Sequence, residues 1–374
     1  MLALVLHNKR VNCCFTSISG NKNVIAQNPL EIEQVNKLLT KKVPTYRQAY
    51  SDRASWLMAC FSELAYLRFN PLFTNNQQKE LITKYLEEFA EKNKKSSLLK
   101  LLDIVGYDHE AETERLIAEL DLLNATLVKT FDSNGTQAIL ISTDKFITLA
   151  FRGTESTSIK DIKSGTKATT TKCYSGGNIH SGFKAAFEEV ASEIQSTLNQ
   201  EAFANKTLFI TGHSLGGALA TIAAKKLNHT EGIASCYTFG SPRVGDEDWI
   251  SNIKTPLYRI VNAADCVTMM PPSSNTISFI SWLLGFIPQF GKSIRSFLLS
   301  KFNGYIHGGD MRYLTNCSAS NYNAVNLLYS VSFFYRIKML YVKALPLSKP
   351  FADHSISLYR RKLAFVATKR NEDK

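Results

Sequence analysis

"TLFITGHSLGGALATIAA", residues 207–224, sets a single serine between glycines where an apolar run gives way to a helix of small residues. Thr207 to Ile210 is short, apolar and partly β-branched and reads as a buried strand, while Ala218, Leu219, Ile222 and Ala223 recur at helical spacing. Ser214 therefore falls on the turn between the two. Gly212 and Gly216 flank it in the order Gly-x-Ser-x-Gly. A hydroxyl on a tight, strained strand-to-helix turn needs neighbours without side chains, because the helix must pack closely against the strand it has just left. Such a turn projects Oγ out of the backbone and aims the following N–H groups at whatever binds there.

Working outward, "ATLVKTF", "TQAILIST" and "FITLAFRG" read as three consecutive strands, the first two joined by the turn residues Asp132-Ser133-Asn134-Gly135. After residue 178 helices and strands alternate: helix 180–202, strand 207–210, helix 214–227, strand 234–240 and strand 257–262. Alternation of this kind predicts right-handed β-α-β crossovers and a mostly parallel central sheet with helices on both faces. Between residues 46 and 104 helical patterns dominate and form an N-terminal layer, broken at Asn70-Pro71. The expected organisation is an N-terminal extension over 1–45 and one α/β domain over 46–374.

A chain of 374 residues is long enough for a large core, and 44% apolar with 20% charged residues describes a globular protein rather than a disordered one. The seven cysteines are scattered, odd in number and free of any Cys-x-x-Cys pair, which argues for thiols over a zinc site or a disulfide framework. No cofactor or metal is expected. The opening "MLALVLHNKR" carries its charges after a six-residue apolar run and does not read as a signal peptide, so a cytoplasmic or peripheral-membrane location is expected, with export without a cleaved signal as the other route. "ISFISWLLGFIPQF" at 277–290 is too short to span a bilayer. Of the net charge of +12, +10 lies beyond residue 272, where fourteen Lys/Arg face four Asp/Glu alongside the apolar stretch "AVNLLYSVSFFYRIKMLYVKAL" at 324–345. Mixed basic and apolar surface suits an anionic membrane surface. A nucleic-acid partner is not expected, because no binding motif or basic stripe with interleaved stacking aromatics is present.

A serine nucleophile needs a base, a carboxylate that orients the base, and donors for an oxyanion, in the chain order serine, acid, histidine for a sheet of this type. "LYRIVNAADCVTMMPP" at 257–272 supplies a strand, then Asp265, then a double proline, so Asp265 is the candidate acid; Asp246 and Asp248 lie amid turn residues and read as surface or capping positions. Two histidines follow it, His307 in "GYIHGGDMRYL" and His354 in "PFADHSISLYRRKL". By residue chemistry either can be the base. The N–H of Leu215, directly after the nucleophile, is one oxyanion donor, and Thr154 in "FITLAFRGTES" offers a second.

Four segments together resemble the class 3 lipase family, the fungal-lipase-like branch of the α/β-hydrolases: "AFRGTES" (150–156), "NIHSGF" (178–183), "ITGHSLGGALA" (210–220) and "YTFGSPRVGD…RIVNAADCVTMMPP" (237–272). The resemblance covers about residues 125–272. It implies an α/β-hydrolase fold and hydrolysis of carboxylic esters of lipids, of acylglycerol lipase or phospholipase A type, with Ser214 as nucleophile, Asp265 as acid and Thr154 with Leu215 as oxyanion hole. It also favours His354 over His307, since members place the base in a later Asp-His segment followed by tyrosine. His180 and His213 match positions that look like scaffold. The rival expectation is a catalytically silent lipid-binding or scaffold protein that keeps the fold.

The sequence departs from the family in three places. Where fungal members carry a short apolar lid helix, residues 159–177 are polar, basic and glycine-containing. Residues 273–304, strongly apolar, stand as an insertion between "MMPP" and "GYIHGG", so the expectation is a lipid-contacting C-terminal cap formed by this insertion and 324–345. Cys266 directly after the acid also departs from the family's usual aliphatic residue.

Overall fold

Residues 23–41, 43–45, 49–67, 69, 75–92, 97, 108–153, 170–174, 176–284, 296, 299, 302, 304–318, 321–344 and 352–372 are described by the computed structural model. Two compact units emerge, one of Met1–Asn23 with Arg68–Arg115, the other of Val24–Leu67 with Leu116–Lys374. The second unit therefore begins well ahead of residue 46. In chain order, helices α1 (Pro29–Leu39), α2 (Asp52–Leu64), α3 (Asn75–Lys92) and α4 (His109–Asp121) precede strands β1 (Thr126–Ser133), β2 (Thr136–Ser142) and β3 (Phe146–Phe151). The pair β4 (Thr170–Lys172) and β5 (Asn178–His180) follows, then α5 (Ser181–Leu198), α6 (Glu201–Ala204), β6 (Thr207–His213), α7 (Leu215–Lys226), β7 (Ile233–Phe239), α8 (Glu247–Ser251), β8 (Leu257–Asn262) and α9 (Ser274–Leu284). Beyond them lie β9 (Asp310–Leu314), β10 (Leu327–Leu328), α10 (Phe333–Ala344) and α11 (Ile356–Glu372).

Eight strands form the central sheet in the order β1-β2-β3-β6-β7-β8-β9-β10. The five inner strands from β3 to β9 run parallel, and antiparallel pairs close both edges. This is the mostly parallel sheet of the α/β-hydrolase expectation. At the first hairpin Asn134 and Gly135 both take positive φ (47° and 81°), the two-residue turn whose twist matches that of the strands it joins. Period-2 alternation sorts β6 onto two faces. Leu208 and Ile210 join Phe187, Val190, Ile194, Leu219 and Ile222 in a core under α5 and α7. On the opposite face Thr211 donates to the carbonyl of Met58 (3.2 Å) and shares a hydrogen bond with Ser62 (2.8 Å), which seats α2 on the sheet.

The structure departs from the sequence expectations locally. The strand expected over 207–210 continues to His213, so it delivers the chain directly to Ser214. The helix expected over 180–202 is two helices, with a break after Leu198. Strands β9 and β10 extend the sheet beyond 257–262, the last strand that was expected. Within the expected extension 1–45, residues 29–39 form α1, which starts with Asn28 accepting from Glu31 N–H (3.0 Å) and Pro29 in its first turn. Arg360 of α11 donates to the carbonyls of Ile25 (2.7 Å) and Val24 (2.9 Å) and pairs with Glu63 of α2, so α11 is fixed between the N-terminal segment and the helical layer. His354 lies two residues before α11, and this anchorage sets its height over the sheet.

Candidate active site

Ser214 occupies the N-cap position of α7 with φ 57° and ψ −126°, a conformation costly for any residue with a side chain. Serine at an N-cap normally spends its oxygen on a backbone N–H of the first turn. Here it makes no such bond; Oγ instead donates to Nε2 of His354 (2.8 Å). Leu215, the first residue of α7, has an N–H with no acceptor inside the helix. The flanking glycines are sterically required: a Cβ on Gly212 would stand 2.1 Å from the Gly216 carbonyl oxygen, and one on Gly216 2.3 Å from that of Phe151.

Asp265 follows β8 and is 2% exposed. Its carboxylate accepts from Nδ1 of His354 at 2.9 and 3.0 Å, from Val267 N–H (2.9 Å) and from the phenol of Tyr359 (2.6 Å). Burial and the neighbouring carboxylate push the Tyr359 hydroxyl well above its ordinary range, which keeps the proton that it donates. Tyr359 Oη in turn accepts from Asn262 N–H (3.0 Å). Gly240, with φ +59°, passes directly behind this pair, where a Cβ would stand 2.8 Å from Oδ2 of Asp265 and 3.0 Å from the His354 ring. Neither Tyr359 nor Gly240 was marked by the sequence reading, although a tyrosine after Asp-His and a glycine in "YTFGSPR" were both in the quoted motifs.

His354 is 5% exposed and Ser214 1%, so the arrangement is buried. His354 is held from its backbone too. His213 Nε2 donates to the carbonyl of His354 (2.6 Å), and Tyr66 donates to His213 Nδ1 (2.8 Å). Burial first, then the adjacent His354, hold the His213 imidazole well below its usual pKa and therefore neutral, consistent with one donating and one accepting nitrogen. Asp353 Oδ2 accepts from Ala264 N–H (3.0 Å), tying the segment before the base to the segment before the acid.

The structure thus brings Ser214, Asp265, His354 and Leu215 together. His307 is elsewhere: its Nε2 donates to the carbonyl of Thr268 (2.6 Å), and burial followed by Arg259 and Arg243 drives its pKa well down. Thr154 lies outside the described residues, as do residues 159–169 and 175 of the expected lid region. Of the 273–304 insertion, only 273–284, 296, 299, 302 and 304 are described, and its first part is the helix α9. Asp246 caps α8 by accepting from Trp249 N–H (3.0 Å), and His180 caps α5 by accepting from Phe183 N–H (3.3 Å), both away from the triad. Among the described residues no group of three or more His, Cys, Asp or Glu could hold a metal ion.

The sequence model of the family "Lipase (class 3)" matches residues 148–275, the stretch from β3 through the elbow and the acid into α9. This segment is similar to the class 3 lipase family. The chain is 40% identical over 109 residues to a secreted mono- and diacylglycerol lipase of Fusarium solani, covering 28% of this chain and 32% of that one. A lipase of Rhizopus niveus is 32% identical over 164 residues, covering 40% and 41%. The chain thus spans about a third to two fifths of the length of these curated relatives. The Rhizomucor miehei lipase in complex with its propeptide aligns over 70% of this chain and 74% of its own at 24% identity and a TM-score of 0.42. One expectation is corrected here. The cytoplasmic or peripheral-membrane location was read from the opening residues, and the secreted Fusarium relative overturns it. That reading rested on a six-residue apolar run at the start of the chain, and none of the family match falls there.

Proposed function

We propose that the protein is a serine hydrolase that cleaves carboxylic esters of lipids through an acyl-enzyme, with Ser214 as nucleophile, His354 as base and Asp265 as the acid that orients it. The observation that carries this reading is the unbroken hydrogen-bonded line from Ser214 Oγ through both nitrogens of His354 to a carboxylate. In the first half, Oγ attacks the ester carbonyl as His354 Nε2 takes its proton, and Asp265 steadies the imidazolium through Nδ1–H. The oxyanion is received by Leu215 N–H, with Thr154 as the second donor. Collapse expels the alcohol, which takes the proton from Nε2. Water then attacks the acyl carbonyl with His354 again as base, and the fatty acid leaves Ser214.

The substrate reading extends to an anionic membrane surface as the place of contact. α9 contains no charged residue, α10 contains Arg336, Lys338 and Lys343 with no acid, and the chain beyond residue 272 carries +10. Apolar and basic side chains on adjoining helices suit the headgroup boundary of an anionic bilayer. Among the described residues no helix is long and apolar enough to cross a membrane. The test is a panel of acylglycerols and phospholipids offered to the wild type and to Ser214→Ala, His354→Ala and His307→Ala. Fatty acid release by the wild type that is lost in the first two variants and kept in the third supports the assignment; release that survives Ser214→Ala overturns it.

A further inference from the structure

The helix α10 presents two kinds of chemistry on its two sides. Outward, Phe334 is 69% and Tyr335 38% exposed, Lys338 is exposed, and Phe333 with Phe334 meets Phe279 of α9 edge-on at centroid distances of 5.7 and 6.1 Å. Inward, Arg336 is buried and its Nη2 donates to the hydroxyl of Thr268. That hydroxyl donates in turn to the backbone carbonyl of Asp265 (2.8 Å). A guanidinium from an outer helix thus grips the loop that holds the acid.

We propose that Arg336 is a positioning residue for the acid-bearing loop 265–268, carried to it by the helix whose outer side meets an anionic lipid surface. The inference rests on the ester-hydrolase reading and adds to it a mechanical link between the surface and the acid. Three observations support it. From outside the loop, Thr268 is bound at its hydroxyl by Arg336 and at its carbonyl by His307. The Asp265 carboxylate is the leading charge that favours the Arg336 cation against the cost of its burial. The His354–Asp265 bonds of 2.9 and 3.0 Å leave little slack, and a displacement near 1 Å in such a geometry costs on the order of a hundredfold in rate.

The experiment has two arms on the full chain. In the first, turnover of a soluble short-chain nitrophenyl ester is compared for wild type, Arg336→Gln and Arg336→Lys, with Ser214→Ala as the blank. Arg336→Gln is expected to lower kcat about ten- to a hundredfold with KM within about twofold, and Arg336→Lys to recover part of the loss. A kcat within about twofold of wild type, or a loss confined to KM, overturns the proposal. In the second, hydrogen–deuterium exchange of wild type and Ser214→Ala is followed with and without vesicles of ether-linked phosphatidylserine and phosphatidylcholine, which hold no carboxylic ester to cleave. Slowed exchange at 333–339 together with 265–268 supports the link, and slowing confined to 333–339 overturns it. This arm needs neither turnover nor an Arg336 variant, so it decides the link even where the wild type fails to hydrolyse the ester, the outcome that would sink the hydrolase reading alone.

Discussion

His307 and His354 stand in similar sequence settings, each after turn-forming residues and each downstream of the acid, yet their surroundings have opposite sign. Around His307 are Arg243, Arg259 and Arg336, and its ring serves a backbone carbonyl. His354 has a carboxylate on one nitrogen and a hydroxyl on the other. An imidazole among guanidinium groups stays neutral and is a structural donor; one backed by a carboxylate can accept a proton during a reaction and hand it on. What separates a base from a brace is the charge of the neighbours, and those around His307 come from the segment after β7, from β8 and from α10, far away in sequence.

The contrast breaks most sharply under Ser214→Ala and His354→Ala. Each is expected to remove on the order of 10⁴- to 10⁶-fold of kcat in an ester-release assay. Asp265→Asn should cost about 10⁴, because an amide cannot hold the Nδ1–H tautomer in place. His307→Ala is the counter-test: it should leave kcat within about tenfold while lowering unfolding stability by about 1–3 kcal/mol, since the Thr268 carbonyl loses its buried donor. An equal collapse of kcat in a folded His307→Ala protein would erase the distinction. Tyr359→Phe, which removes one of the donors to Asp265, should reduce kcat by a few-fold, readable in the same assay.

The smallest effect concerns pH. Burial holds His180 down to about 4 and puts His213 and His307 well below the ordinary imidazole value. These rings are neutral in the fold and take up protons on unfolding, so the unfolded state binds more protons below about pH 6.5. Their contribution is complete above that value and shrinks as pH falls from about 6.5 toward 4. The urea midpoint should accordingly be lower at pH 5 than at pH 7.5, and a midpoint that rises on acidification would show that these rings are protonated in the folded chain.

Much of this fold was legible because its centre is written in local chemistry. The strand, the glycine-flanked serine and the small-residue helix at 207–224 need only their own neighbours to be read, and so does the Asn-Gly hairpin. β9 escaped reading because "DMRYL" alternates too weakly and gains its strand character from pairing with β8. Helix α1 did leave a signal, Asn28-Pro29 followed by Glu31, which the reading passed over. Ser214 and Asp265 could be picked by motif. The choice between the histidines needed the resemblance, and Tyr359 and Gly240 needed three dimensions, because nothing along the chain tells which groups will crowd the back of the acid.

The hydrogen bond between Ser214 and His354 joins residues 140 positions apart, and that between Asp265 and His354 joins residues 89 apart. Synthesis runs from the amino end, so a growing chain holds its serine elbow complete for as long as it takes to add those 140 residues, without an imidazole to draw off the proton. A product that stops short of residue 354 therefore carries the serine hydroxyl but lacks the imidazole that faces it in the full chain. Timing in translation is thereby written into the order of the triad along the chain.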